Sequence, residues 1–141
     1  MRDAFDSPIP GYDDIPEEFR IKNPVCQDFY LVDGCLRQWD GPMMDVLSPV
    51  WVNKEGQEQR QQVGSCPLLS EQAALEALSV AVGAYANGRG PWPTMSVGER
   101  IQCVQRFTRA MLEKREEIVR LLSWEIGKSW REAEREFDRA I

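Results

Sequence analysis

The chain has 141 residues, of which 43% are hydrophobic and 28% charged, the composition of an ordinary globular chain of single-domain size. Its 17 Lys and Arg against 23 Asp and Glu leave a net charge of −6, which argues against a nucleic-acid-binding face. No stretch approaches the roughly 20 apolar residues of a membrane helix, and the first ten residues carry no secretory apolar core, so the expectation is a soluble, cytoplasmic chain.

Residues 1–28 read as an irregular acidic arm. Pro8, Pro10, Pro16 and Pro24 leave no room for a useful helix, and seven acids from Asp3 to Asp28 crowd around them. The arm is either an extended segment lying on a larger body or a disordered terminus. Residues 29–66 read as short antiparallel strands. Phe29-Tyr30-Leu31-Val32 and Cys35 to Trp39 flank Asp33-Gly34, a hairpin signal because both central positions of a type I′ turn need positive φ. A third strand is expected from Asp45 to Val52, interrupted or edged at Pro49. A polar loop is expected over 53–60, and a fourth short strand over 62–66.

Residues 70–141 read as helices. Ser70 is placed to cap the first, whose Leu75, Leu78, Val82 and Tyr85 share one face. Asn87-Gly88-Arg89-Gly90-Pro91 stops it, and Trp92-Pro93 is expected to be extended. Ser96-Val97-Gly98-Glu99 is a capping-box pattern that opens a long helical run with Ile101, Val104, Phe107 and Met111 on its apolar stripe. The run is long enough to predict a bend near Lys114-Arg115. Gly127 is placed to end it, and Ser129-Trp130-Arg131-Glu132 is a second box that starts the last helix. The whole predicts an α+β fold.

Little in the chain speaks for chemistry. There is no histidine, which removes the commonest general base and metal ligand. Cys26, Cys35, Cys66 and Cys103 contain no C-x-x-C pair and read as free thiols. None has a visible activator, and Cys103 is expected to be buried in its helix. Glu125 and Lys128 flank Ile126-Gly127 and offer an acid–base pair on one reading, or a solvated Glu and a helix-capping Lys on the other. No glycine pattern forms a phosphate cradle. The five tryptophans, 39, 51, 92, 124 and 130, serve packing or face a missing partner surface. On the residues alone, then, no catalytic, cofactor-binding or metal-binding residue is assigned.

The motifs do carry a family likeness. Trp92 followed by Ser96-x-x-Glu99-Arg100, an amphipathic helix, Arg115-Glu116-Glu117 and Glu125-x-Gly127-Lys128 resembles the N-terminal region of the aldehyde dehydrogenase superfamily. Tyr30-Leu-Val-Asp-Gly34, Gln38-Trp-Asp-Gly-Pro42, Asp45-Val-Leu-Ser-Pro49, Asn87-Gly-Arg-Gly90 and Trp124-Glu-Ile-Gly-Lys-Ser129 extend the likeness over about residues 29–141. Several of these motifs resemble the branch of NADP-dependent, non-phosphorylating glyceraldehyde-3-phosphate dehydrogenases. The resemblance implies the N-terminal part of an α/β enzyme that oxidises an aldehyde with NAD(P) through a cysteine thiohemiacetal and thioester. It also implies that the catalytic cysteine, the general-base glutamate, the oxyanion-hole asparagine and the NAD(P)-gripping strands lie downstream of the matched region. In intact relatives the helices matched here pack as scaffold around the cofactor domain. The expectations are therefore an N-terminal portion that is inactive alone, binds no cofactor itself, and self-associates through exposed apolar faces. The alternative is a non-catalytic helical interaction module or a decayed gene product.

Overall fold

The computed structural model describes residues 8–141. Residues 1–7 of the predicted acidic arm lie outside the described residues. Five strands are followed by helices: β1 Val25–Cys26, β2 Phe29–Val32, β3 Cys35–Gln38, β4 Met43–Lys54 and β5 Gln57–Pro67, then α1 Glu71–Tyr85, α2 Pro91–Thr94, α3 Val97–Glu113, α4 Arg115–Ile126 and α5 Trp130–Ala140. The architecture is α+β. A three-stranded sheet has the order β1-β5-β4, and β2 pairs antiparallel with β3 as a separate ribbon. The chain gathers into two compact units. One joins the described residues up to Val25 with Asp45–Gly64 and Glu116–Ala140; the other joins Cys26–Met44 with Ser65–Arg115 and Ile141.

The β2–β3 ribbon forms as the Asp-Gly signal demands. Asp33 and Gly34 hold φ of 54° and 70°, and Phe29 lies opposite Gln38 while Val32 lies opposite Cys35. The next stretch departs from the sequence expectation. β4 runs twelve residues through Pro49, so of the two alternatives at Pro49 the edge strand holds and the interruption does not, and 53–60 is not a loop. Glu55 and Gly56 make a second positive-φ turn (54° and 81°), so β4 and β5 form a long hairpin. Pro49 is accommodated because β4 is an edge of its sheet, where a missing N–H costs no ladder bond on the open side.

The helix starts follow their caps. The Ser70 hydroxyl accepts from the Ala73 amide at 3.2 Å. At α3, the Ser96 hydroxyl accepts from the Glu99 amide while the Ser96 amide donates to the Glu99 carboxylate at 2.9 Å. At α5 the same reciprocal pattern joins Ser129 and Glu132. Two details differ from expectation. Ala86 and Asn87, not a glycine, make the first left-handed steps after α1, and Trp92-Pro93 lies in the short helix α2, with Pro91 at its first position where a missing N–H is harmless. The predicted bend is real: Lys114, with φ −105° and ψ 10°, separates α3 from α4.

The core of the first unit is small. Ile21, Val52, Val63 and Trp124 are buried together, with Tyr12, Ile15, Val46, Val50 and Leu121 packed at its margin. Of the apolar face Ala133, Phe137, Ala140 and Ile141 that the sequence predicts for the last helix, Ala133 and Phe137 are buried, and Ala140 and Ile141 are exposed. The faces of α1 and α3 are not. Leu78 is 59% exposed and Phe107 64% exposed, and α3 has no buried residue.

Candidate functional site

The richest side-chain constellation is in the first unit, around Trp124. It begins in the segment Pro10–Lys22, which is organised by its own bonds. Tyr12-Asp13-Asp14 and Glu17-Glu18-Phe19 are single 3-10 turns, the first closed by Ile15 in the extended conformation imposed by the following Pro16. The Tyr12 hydroxyl donates to the Ile21 carbonyl at 2.7 Å. Arg20 threads back, its Nε donating to the Ile15 carbonyl at 2.6 Å and its terminal nitrogens meeting Asp13. Lys22 pairs with Glu17. The Arg20 guanidinium and the Lys54 ammonium both lie over the Tyr12 ring, the latter 4.1 Å from its centre. Burial pushes the Tyr12 phenol above its ordinary pKa, with the Arg20 charge opposing.

Three donors of the unit hold this segment by its main-chain carbonyls. The Asn53 amide donates to Pro10, Arg120 Nε to Glu18 at 2.9 Å, and the Trp124 indole to Phe19 at 2.5 Å. The Phe19 ring rests on Trp130, centroids 4.8 Å apart. From beneath, fully buried Ser48 donates to the Trp124 carbonyl at 2.5 Å and accepts from the Val50 amide at 3.0 Å, tying β4 to the end of α4. Ile15, Phe19, Val50, Trp124 and Trp130 line an open apolar groove of about 400 Å³. A larger groove of about 680 Å³ runs past Glu17, Glu18, Arg20, Lys22 and Arg120. Its cations are already engaged: Lys22 by Glu17, Arg20 by Asp13 and Ile15, Arg120 by the Glu18 carbonyl. These grooves do not fit a dinucleotide, since a pyrophosphate needs unengaged cations or a glycine-rich helix start, and acids line the larger one.

The residues weighed from sequence fall elsewhere. Lys128 pairs with Glu136 of α5 rather than with Glu125, which is exposed; the turn between α4 and α5 brings Lys128 back over the first turns of α5. The Lys128 carbonyl accepts from Ser123 at 2.8 Å. All four cysteines are free. Cys103 is half-buried rather than buried, because the α3 face it borders is open, and its sulfur lies 3.1 Å from an Arg106 nitrogen. Cys26 lies 3.4 Å from the Ser65 hydroxyl. Neither neighbour is a general base. Among the described residues no group of His, Cys, Asp or Glu is placed to hold a metal. The tryptophans divide: Trp124 is buried, Trp39 and Trp130 are half-buried, and Trp51 and Trp92 are about half exposed.

Sequence reasoning left open whether the arm lies on a larger body or is a disordered terminus, and it did not identify where Pro10–Lys22 sits. The available signals were Tyr12, Ile15, Phe19 and Ile21, apolar residues that an acidic solvated arm has no reason to carry. A local stretch of apolar residues does not, however, reveal which distant indole will meet it.

With this geometry the chain can be compared with known proteins. The aldehyde dehydrogenase family model matches residues 51–141, and the chain belongs to the aldehyde dehydrogenase family. The match begins within β4 and takes in β5 and every helix, while Pro10–Lys22 and the β2–β3 ribbon precede it. No curated protein and no solved structure matches the chain. Among the described residues no helix is long and apolar enough to cross a membrane.

Proposed function

We propose that the chain is a scaffold portion of a cytoplasmic NAD(P)-dependent aldehyde dehydrogenase and is catalytically silent by itself. The observation that carries this reading is the family match over residues 51–141. Two features support the silence. Among the described residues the polar neighbours of Cys26 and Cys103 are Ser65 and Arg106, neither a general base, and neither groove around Trp124 suits a dinucleotide. The motif likeness at Tyr30–Gly34, Gln38–Pro42 and Trp124–Ser129 supports NADP as cofactor and glyceraldehyde 3-phosphate as the aldehyde of the intact enzyme. The test is direct. Purified chain mixed with NAD or NADP and a panel of aldehydes, glyceraldehyde 3-phosphate included, should produce reduced nicotinamide no faster than buffer. A rate abolished by replacing one of the four cysteines with alanine would overturn the reading.

A second reading has its own observation. Leu75, Leu78, Val82 and Tyr85 of α1, with Val97, Ile101, Val104 and Phe107 of α3, present apolar side chains to solvent in a single unit. Soluble monomers rarely leave such stripes open. They favour a helical interaction module that self-associates, and a silent scaffold with the same faces would do so too. Activity assays and association measurements therefore report on different parts of the proposal.

A further inference from the structure

We propose that two copies of the chain form a two-fold dimer in which α1 of each copy lies parallel on α3 of the other, with Glu71 of each copy paired to Arg100 of the other. The proposal rests on the self-associating reading above and gives it a partner and a register.

Three observations carry it. The first is the spacing of the two seams. Glu71, Leu75, Leu78 and Val82 follow one another on α1 at steps of four, three and four residues, and Arg100, Val104, Phe107 and Met111 follow at the same steps on α3. Such steps keep side chains on one line along a helix, the condition for two helices to pack along their length. Aligned in parallel, Leu75 meets Val104, Leu78 meets Phe107 and Val82 meets Met111. Leu75, Leu78, Val82, Val104 and Phe107 are each 55–64% exposed, and α1 buries only Ala73 although most of its residues are apolar. A helix apolar on most of its surface is normally covered.

The second observation is charge. Each seam holds one charged residue and holds it at its N-terminal end, negative at Glu71 on α1 and positive at Arg100 on α3. A parallel alignment therefore brings opposite charges together at one end of the contact. The antiparallel alignment would set Glu71 against Met111 and Arg100 against Val82, covering both charges without a partner, which is costly.

The third is area. The eight exposed apolar side chains of the two stripes offer roughly 100 Å² each, on the order of 800 Å² per copy, which is what one side of a standard-size interface buries. A contact of α1 with α3 of another copy closes when it is made twice about a two-fold axis, and otherwise runs on as an open chain.

The test uses the 141-residue chain in sedimentation velocity, with Glu71→Arg, Arg100→Glu and the double reversal. For the wild-type chain we expect the mass to rise with concentration and level at twice 16.2 kDa. Each single reversal should weaken the dimer about ten-fold by setting like charges together. The double reversal should restore it, and so should mixing the two single variants, since a dimer of one with the other regains both pairs. Arg131→Glu, the same charge change on α5, should leave the dimer unchanged. Association that neither the double reversal nor the mixture restores overturns this pairing while the self-associating reading stands. A chain that is monomeric at every concentration, its stripes left for another protein, overturns both. Growth past the dimer overturns the two-fold closure. If a reversal lowers the helical signal in circular dichroism, Glu71→Gln and Arg100→Gln decide. Each should weaken the dimer about three-fold, and an unchanged dimer in both sinks the pairing.

Discussion

Ser48 shows how much a single side chain holds in this protein. Its hydroxyl is fully buried and joins two main-chain groups, the Trp124 carbonyl and the Val50 amide. Ser48→Ala removes one donor and one acceptor, leaving the buried Trp124 carbonyl and the half-buried Val50 amide without that partner, a loss of about 1–3 kcal/mol. The expected result is a lower urea midpoint in a tryptophan-fluorescence titration; an unchanged midpoint would show that the tie is not stabilising. Gly127 is a second such point. Its φ of 72° is the left-handed region, and an added Cβ would stand 3.2 Å from the Pro49 ring. Gly127→Ala therefore combines a backbone cost of about 1–2 kcal/mol with a push against β4, and it should destabilise the chain more than Gly83→Ala, where a Cβ meets open space. Tyr12 gives a pH dependence. Its phenol is raised by burial, so the fold favours the neutral form. That contribution is complete below the ordinary value of 10.0 and is lost as pH climbs through the folded value. Tyr12→Phe should flatten the alkaline limb of the stability profile.

At the scale of the element, helices and turns are the most locally determined parts of the molecule. The two capping boxes fold as four-residue units, and Ser96 and Ser129 hold the carboxyls of Glu99 and Glu132 below the usual range through hydroxyl and then amide hydrogen bonds. The sign follows from linkage. A depressed folded pKa gives stability that is present above the ordinary value of 4.5 and is lost as pH falls through the folded value. Glu17, lowered by its Lys22 partner, adds in the same direction. Circular dichroism during acid titration should show helix loss setting in below about pH 4.5, and Glu99→Gln with Glu132→Gln should weaken that dependence. Ser70→Ala should cost about 1 kcal/mol through the lost cap of α1. The strands were less legible. Asp33-Gly34 announces its turn, but Glu55-Gly56 does not, because Glu is a poor left-handed residue. The uniformly polar run from Gln57 to Gln62 likewise hides a strand whose inward residues, Gln61 and Val63, give only a weak apolar signal.

At the scale of the whole molecule, buried and exposed apolar groups are unevenly divided between the two units. The first unit closes on Ile21, Val52, Val63 and Trp124, whereas in the other unit the apolar stripes of α1 and α3 meet solvent. Self-association is the expected consequence. Sedimentation velocity should show the average mass rising with concentration, and Ile101→Glu with Phe107→Glu should suppress the rise. A chain that stays monomeric at every concentration would remove the second reading of its function.

The sequence by itself determined the local events: caps at Ser70, Ser96 and Ser129, the Asp33-Gly34 turn, the bend at Lys114, and the motifs that place the chain among aldehyde dehydrogenases. Each depends on residues within a turn or two of one another, so short-range sterics and hydrogen bonding decide them. Only the tertiary structure decided that Lys128 pairs with Glu136, that β4 continues unbroken through Pro49, and that Pro10–Lys22 docks on Trp124. These depend on which distant groups meet, as when the Trp124 indole finds the carbonyl of Phe19. No local pattern encodes that meeting, because a main-chain carbonyl looks the same in every residue.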